Sequence, residues 1–136
     1  MPETSLTIRN DSSEIRRLAR WAGMFCEAND AHATEHRLTL VLEELLTNVI
    51  AYGYDDDDQH EINVNLKIEN DTLTAVFDDD GRPFDPHEAA KPVMDGPLES
   101  RSVGGLGIHL ILTIMDTVDY ERVGDRNRTT MTMAIV

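Results

Sequence analysis

The stretch "EINVNLKIENDTLTAVFDD", residues 61–79, constrains the fold most strongly. Ile62, Val64, Leu66 and Ile68 alternate with polar neighbours, and Leu73, Ala75 and Phe77 alternate again after Asn70-Asp71. A period of two marks a strand with one buried face, and Asn-Asp is a turn signal. The segment therefore reads as a hairpin whose apolar face needs a cover. Helical spacing on either side supplies one. Ile15, Leu18, Ala19, Ala22, Phe25 and Cys26 follow a capping-box-like start at Asp11 and Glu14. A second helix is expected over about 34–51, with Leu38, Val41, Leu42, Leu45, Leu46 and Val49 as its stripe. "LTI" (6–8) reads as a short strand. A buried helix over about 106–115 is followed by strands over about 117–123 and 129–136, where Met131, Met133 and Ile135 alternate. The order β-α-α-β-β-α-β-β predicts an α+β fold: a two-layer α/β sandwich with a mixed, mostly antiparallel sheet and helices on one face.

A length of 136 residues fits one domain, 1–136. The net charge of −14, from 12 basic and 26 acidic residues, argues against direct nucleic-acid binding, which needs clustered Lys and Arg. An anionic ligand would need backbone N–H groups or a metal ion to help hold it. No apolar run approaches the ~18 residues of a membrane span. "MPETSLTIRN" lacks the pattern of a signal peptide. A single cysteine, Cys26, excludes an internal disulfide. Together these features predict a cytoplasmic protein without a membrane partner.

Three polar islands interrupt the apolar pattern. In "EELLTNVIAYG" (43–53), Glu44 and Asn48 lie i and i+4 on one flank of the second helix. Ala51 continues that flank, whereas Glu43 falls on the opposite one. In "DDDGRPFDP" (78–86), strand parity puts Asp79 on the face of Leu73, Ala75 and Phe77. A carboxylate there must be hydrogen-bonded, and an ionised one only accepts, as an adenine amino group would require. Gly81 then lets a backbone or a ligand approach closely. In "GGLGIHL" (104–110), glycines precede an apolar helix, an arrangement that favours phosphate at free N–H groups. It is neither a P-loop nor a full dinucleotide fingerprint, since no Gly-Lys-Ser/Thr and no third glycine follow.

Taken in order, Glu44-x-x-x-Asn48, Asp79-x-Gly81 and Gly105-x-Gly107 resemble the N, G1 and G2 boxes of the GHKL (Bergerat-type) ATPase superfamily, which includes gyrase and the histidine kinases. The wording "EELLTNVIAYGY…DDGRPFDP…GGLGIHLI" is similar to one branch, the anti-sigma-factor serine/threonine kinases of bacterial partner-switching systems. The resemblance implies ATP and Mg²⁺ as cofactors. It assigns Glu44 as general base, Asn48 as metal ligand, Asp79 as acceptor for adenine, and Gly81 as the site of the base's close approach. Gly104, Gly105, Leu106 and Gly107 would wrap the phosphates, with Ala51 beside them. Arg101 is a candidate for the terminal phosphate, and Asn127 and Thr129 compete for a polar position entering the last strand. The resemblance further implies a homodimer that phosphorylates a small anti-anti-sigma protein and sequesters a sigma factor. The alternative is a nucleotide-binding module of the same fold that sequesters a partner without kinase activity. "HATEH" (32–36) also matches an inverted zinc-protease motif, but the sequence offers no third ligand.

Overall fold

A computed structural model describes residues 2–89 and 105–135. The sequence stretch of about 83–103 reads as a long loop, and most of it lies outside the described residues, as do Arg101 and Gly104. The strands are β1 (Glu3–Arg9), β2 (Glu61–Glu69), β3 (Thr72–Asp79), β4 (Thr117–Val123) and β5 (Arg126–Ala134). The helices are α1 (Glu14–Ala28), α2 (His32–Tyr52), the single turn α3 (Pro86–Ala89) and α4 (Gly105–Ile114). The strands form one sheet in the order β1-β2-β3-β5-β4. Every ladder is antiparallel, so the sheet is not mixed as expected.

The hairpin that opened the argument closes between Glu69 and Thr72. Asn70 and Asp71 both take positive φ, 52° and 59°. Two consecutive positive values make a type I′ turn, whose twist matches that of the flanking strands. The alternating residues of β2, β3 and β5 then face the helices in rows. Leu66, Ala75, Met131 and Val118 form one row across the sheet. Val64, Phe77, Thr129 and Tyr120 form the next. Asp79 stands opposite Asn127, and Asn127 opposite Arg122, in a third. The helix-facing side thus passes from apolar to polar within three rows.

Against the apolar rows pack Leu38, Val41, Leu42, Leu45 and Leu46 of α2, Leu18 and Ala22 of α1, and Ile108 and Ile111 of α4, all buried. Trp21 is half-buried, and its Nε1 donates to Thr4 Oγ1 at 3.2 Å, which fastens α1 to β1. The other face of the sheet carries polar cross-strand pairs such as Thr7 with Asn63 and Thr117 with Thr132. Among the described residues no helix is long and apolar enough to cross a membrane.

Two local expectations change. The start of α1 is not a capping box: Asp11 accepts from the Ser13 N–H, and Glu14 reaches back to the Arg9 N–H. Helix α4 is not wholly buried either. His109 and Leu110 are exposed, because α4 lies at the edge of the helical layer.

The turn yields a first prediction. Asp71 holds a left-handed conformation that glycine adopts without a Cβ penalty. Asp71→Gly should therefore stabilise the fold by roughly 0.5–1 kcal/mol, read as an increased midpoint in urea unfolding.

Candidate functional site

The polar end of the sheet meets the C-terminal half of α2 at a narrow cleft. Leu45, Asn48, Val49 and Tyr52 of α2, with Gly53, make one wall. Phe77, Asp79 and Thr129 form the sheet side, and Arg82, Phe84 and Pro86 close it from the following loop.

Asp79 is 5% exposed. Its Oδ2 accepts from the Gly81 N–H at 3.0 Å and from Asn127 Nδ2 at 3.1 Å. Among the described residues Oδ1 has no hydrogen-bond partner, and the side chain lines the cleft. Burial pushes the carboxyl above the usual range, and the two donated hydrogen bonds pull it partly back. Strand parity had placed this side chain on the helix-facing side of the sheet, where it lies.

Asn48 is buried at 7% exposure on the α2 wall. Its Nδ2 donates to the Glu44 carbonyl one turn earlier, at 2.7 Å. Only the amide nitrogen can make that bond, so Oδ1 is left as a hard oxygen donor. The Glu44 side chain lies against α4: a methyl group added at Gly107 would run into Glu44 Oε2 and stand 3.2 Å from its Cδ. Gly107 therefore carries no side chain because a carboxylate occupies the space. Glu44, Asn48 and the first turn of α4 meet at one place, as the i, i+4 spacing anticipated. Gly105 and Leu106 begin α4, while Gly104 lies outside the described residues.

Gly81 is required for a different neighbour than a ligand. A Cβ there would stand 2.9 Å from Asp79 Oδ2 and 3.0 Å from the Gly53 carbonyl. The Gly53 carbonyl also accepts from the Arg82 N–H at 2.9 Å, so the turn after β3 packs directly on the end of α2. Ala51 does not join the site. It is exposed and absent from the cleft wall, where Val49 and Tyr52 stand instead.

The competition between Asn127 and Thr129 resolves into two roles. Thr129 lines the cleft opposite Phe77. Asn127, 3% exposed, is a hub behind Asp79. Its Nδ2 also donates to the Arg82 carbonyl at 2.8 Å, and its Oδ1 accepts from Tyr120 Oη and from Arg122 Nη1 at 3.1 Å. The sequence offered Asn127 only as a competitor of Thr129; its contact with Asp79 depends on cross-strand register, which requires knowing that β3 and β5 pair.

A clasp ties the acidic loop to the same end of the sheet. The rings of Tyr54 and His60 stack with centroids 3.9 Å apart. Tyr54 Oη donates to Asp80 Oδ1 at 2.9 Å, while His60 Nδ1 meets Asp80 Oδ2 at 3.1 Å and Nε2 meets Asp56 Oδ1 at 2.8 Å. Hydrogen bonds to Asp56 and then Asp80 raise the imidazole above its ordinary value. Asp56, within the acidic run 55–58, is thus bonded to the His60 ring. The zinc reading of "HATEH" fails. His32 and His36 are exposed, Glu35 turns toward Gly23 of α1, and no group of three or more His, Cys, Asp or Glu able to hold a metal exists among the described residues.

Residues 8–133 match the family described as histidine kinase-like ATPase domain. The chain belongs to this family. It is 32% identical over 87 residues to the serine-protein kinase RsbW of Bacillus licheniformis, covering 60% of this chain and 53% of that protein. RsbW of Bacillus subtilis is 28% identical over 102 residues, covering 71% and 61% respectively. The matched region thus spans between about half and three fifths of these relatives. The Acinetobacter baumannii histidine kinase AdeS shares the fold, with a TM-score of 0.53 at 13% identity over 99% of this chain and 69% of that one. In this histidine kinase-like ATPase domain, the cleft joins residues from the first two polar islands, Asn48 and Asp79.

The clasp predicts a pH dependence. A raised imidazole contributes stability that is fully present below its unfolded value of about 6.5 and lost as pH rises through the higher folded value. Melting temperature measured from about pH 5.5 to about pH 8.5 should fall across that window in the wild type. It should fall less in His60→Gln.

Proposed function

We propose that this chain binds ATP with Mg²⁺ and transfers the γ-phosphoryl group to a Ser or Thr hydroxyl of a protein. The observation that carries this reading is the pairing, in one cleft, of a buried carboxylate with a free oxygen and an α2 amide with a free oxygen. Asp79 Oδ1 accepts from the adenine amino group. Phe77 and Val49 supply apolar walls for the base. Asn48 Oδ1 is the group that would hold Mg²⁺, which when bound offsets phosphate charge on a chain of net charge −14. Glu44, one turn before Asn48 and against Gly107, accepts the proton of the attacking hydroxyl. The new O–P bond forms as the bond to the leaving ADP oxygen breaks, and the proton ends on the Glu44 carboxylate. Gly105, Leu106 and Gly107 at the start of α4 present backbone N–H groups to the phosphates.

The similarity to RsbW serine-protein kinases supports a protein substrate. In this reading the substrate is a small anti-anti-sigma protein. The chain also sequesters a sigma factor, and it acts as a cytoplasmic homodimer.

Replacing Glu44 separates transfer from binding. Glu44→Gln should retain ATP affinity while phosphoryl transfer to a Ser/Thr protein substrate falls by ~10²–10⁴-fold, measured with γ-labelled ATP under single-turnover conditions. ATP binding without transfer by the wild type would instead support the sequestering module.

A further inference from the structure

We propose that Asn127 is a specificity-determining positioning residue, which makes the cleft accept a base with one amino donor and reject guanine. The inference rests on the ATP-binding reading above. It follows from how the Asp79 carboxylate is divided. An ionised carboxylate offers about four lone-pair sites, two on each oxygen. On Asp79, Oδ2 is taken by the Gly81 N–H at 3.0 Å and Asn127 Nδ2 at 3.1 Å. Oδ1 alone remains for a ligand.

The two bases differ in what they ask of such a group. Adenine offers an exocyclic amine beside a ring acceptor, so one carboxylate oxygen is enough. Guanine offers adjacent N1–H and N2–H donors, which match both oxygens of a carboxylate at once. With Oδ2 occupied, guanine leaves one donor without a carboxylate partner, and an unpaired buried donor is strongly penalised.

Asn127 cannot turn away from this task. Its Oδ1 is surrounded by donors: Tyr120 Oη, Arg122 Nη1 at 3.1 Å and the Phe84 N–H at 3.3 Å. Its Nδ2 faces only acceptors: Asp79 Oδ2, the Arg82 carbonyl at 2.8 Å and the Gly81 carbonyl at 3.3 Å. A flipped amide would set oxygen against oxygen and nitrogen against nitrogen. Cross-strand pairing of Asp79 with Asn127 fixes the approach from the backbone as well.

The test is calorimetric titration of the full chain with ATP and with GTP, each with Mg²⁺, on wild type, Asn127→Ala and Tyr120→Phe. Tyr120→Phe disturbs the same hub but leaves the Asn127 donor on Asp79. The wild type should prefer ATP. Asn127→Ala should lose about tenfold in ATP affinity and bring the ATP:GTP ratio down by at least about tenfold. Tyr120→Phe should keep the wild-type ratio. Should Asn127→Ala not fold, Asn127→Ser, whose shorter hydroxyl does not reach Asp79, carries the same expectation. A ratio unchanged in the Asn127 variants, with ATP affinity reduced, overturns the proposal and leaves the hub merely structural. Equal affinity of the wild type for both nucleotides overturns it while ATP binding stands. Binding of neither nucleotide overturns the ATP reading and this proposal together.

Discussion

Burying the carboxylate of Asp79 is the constraint around which the functional end of the molecule is arranged. An unpaired buried charge costs about several kcal/mol, so each neighbour of Asp79 answers that cost. Gly81 brings a backbone N–H within reach because it has no side chain to hold the turn away. Asn127 delivers a second donor from the adjacent strand and is itself fixed by Tyr120 and Arg122. Arg122 then donates to the Gly81 carbonyl at 2.8 Å, which closes the ring of contacts around the turn. On the opposite face of the sheet, Asp78 pairs with Arg126 and Arg128. Two adjacent carboxylates are thus kept apart by the strand and compensated separately.

The rest of the fold holds this polar end against α2. Leu38, Val41, Leu42 and Leu45 lock the helix onto the apolar rows of the sheet, and that docking carries Asn48 and Glu44 to the cleft. Helix α4 packs beside α2 with no side chain at Gly107, which leaves room for the Glu44 carboxylate. The clasp of Tyr54, His60, Asp56 and Asp80 ties the loop after α2 to the strand that carries Asp79.

Most of the sandwich was legible in the sequence because period-two and helical patterns survive where one face is buried. Strand β5 begins three residues earlier than the alternation of Met131, Met133 and Ile135 implied, since Arg126 and Arg128 face outward between buried polar residues. Parity alone placed Asp79 on the helix face, and helical spacing alone paired Glu44 with Asn48. Ala51 shares the flank of Asn48 by spacing, yet it is exposed and stands outside the cleft wall. The hydrogen bond of Asn127 to Asp79 and the His60 clasp were illegible. Both join residues 48 and 20 positions apart through strand pairing and loop packing, which no local pattern encodes. Gly81 was read as admitting a backbone or a ligand, and the backbone of Gly53 stands there; at Gly107 the open space faces the carboxylate of Glu44.

The central claim is that the free oxygen of Asp79 recognises a nucleotide base in the cleft. Calorimetric titration with ATP and Mg²⁺ of the wild type beside Asp79→Asn tests it most directly. The amide keeps the shape but is a weaker acceptor, and it places a donor where an acceptor is required. The account predicts saturable binding by the wild type and a loss of at least about tenfold in the variant, with the melting temperature of the unliganded variant close to that of the wild type. Equal ATP affinity in the two proteins would contradict it.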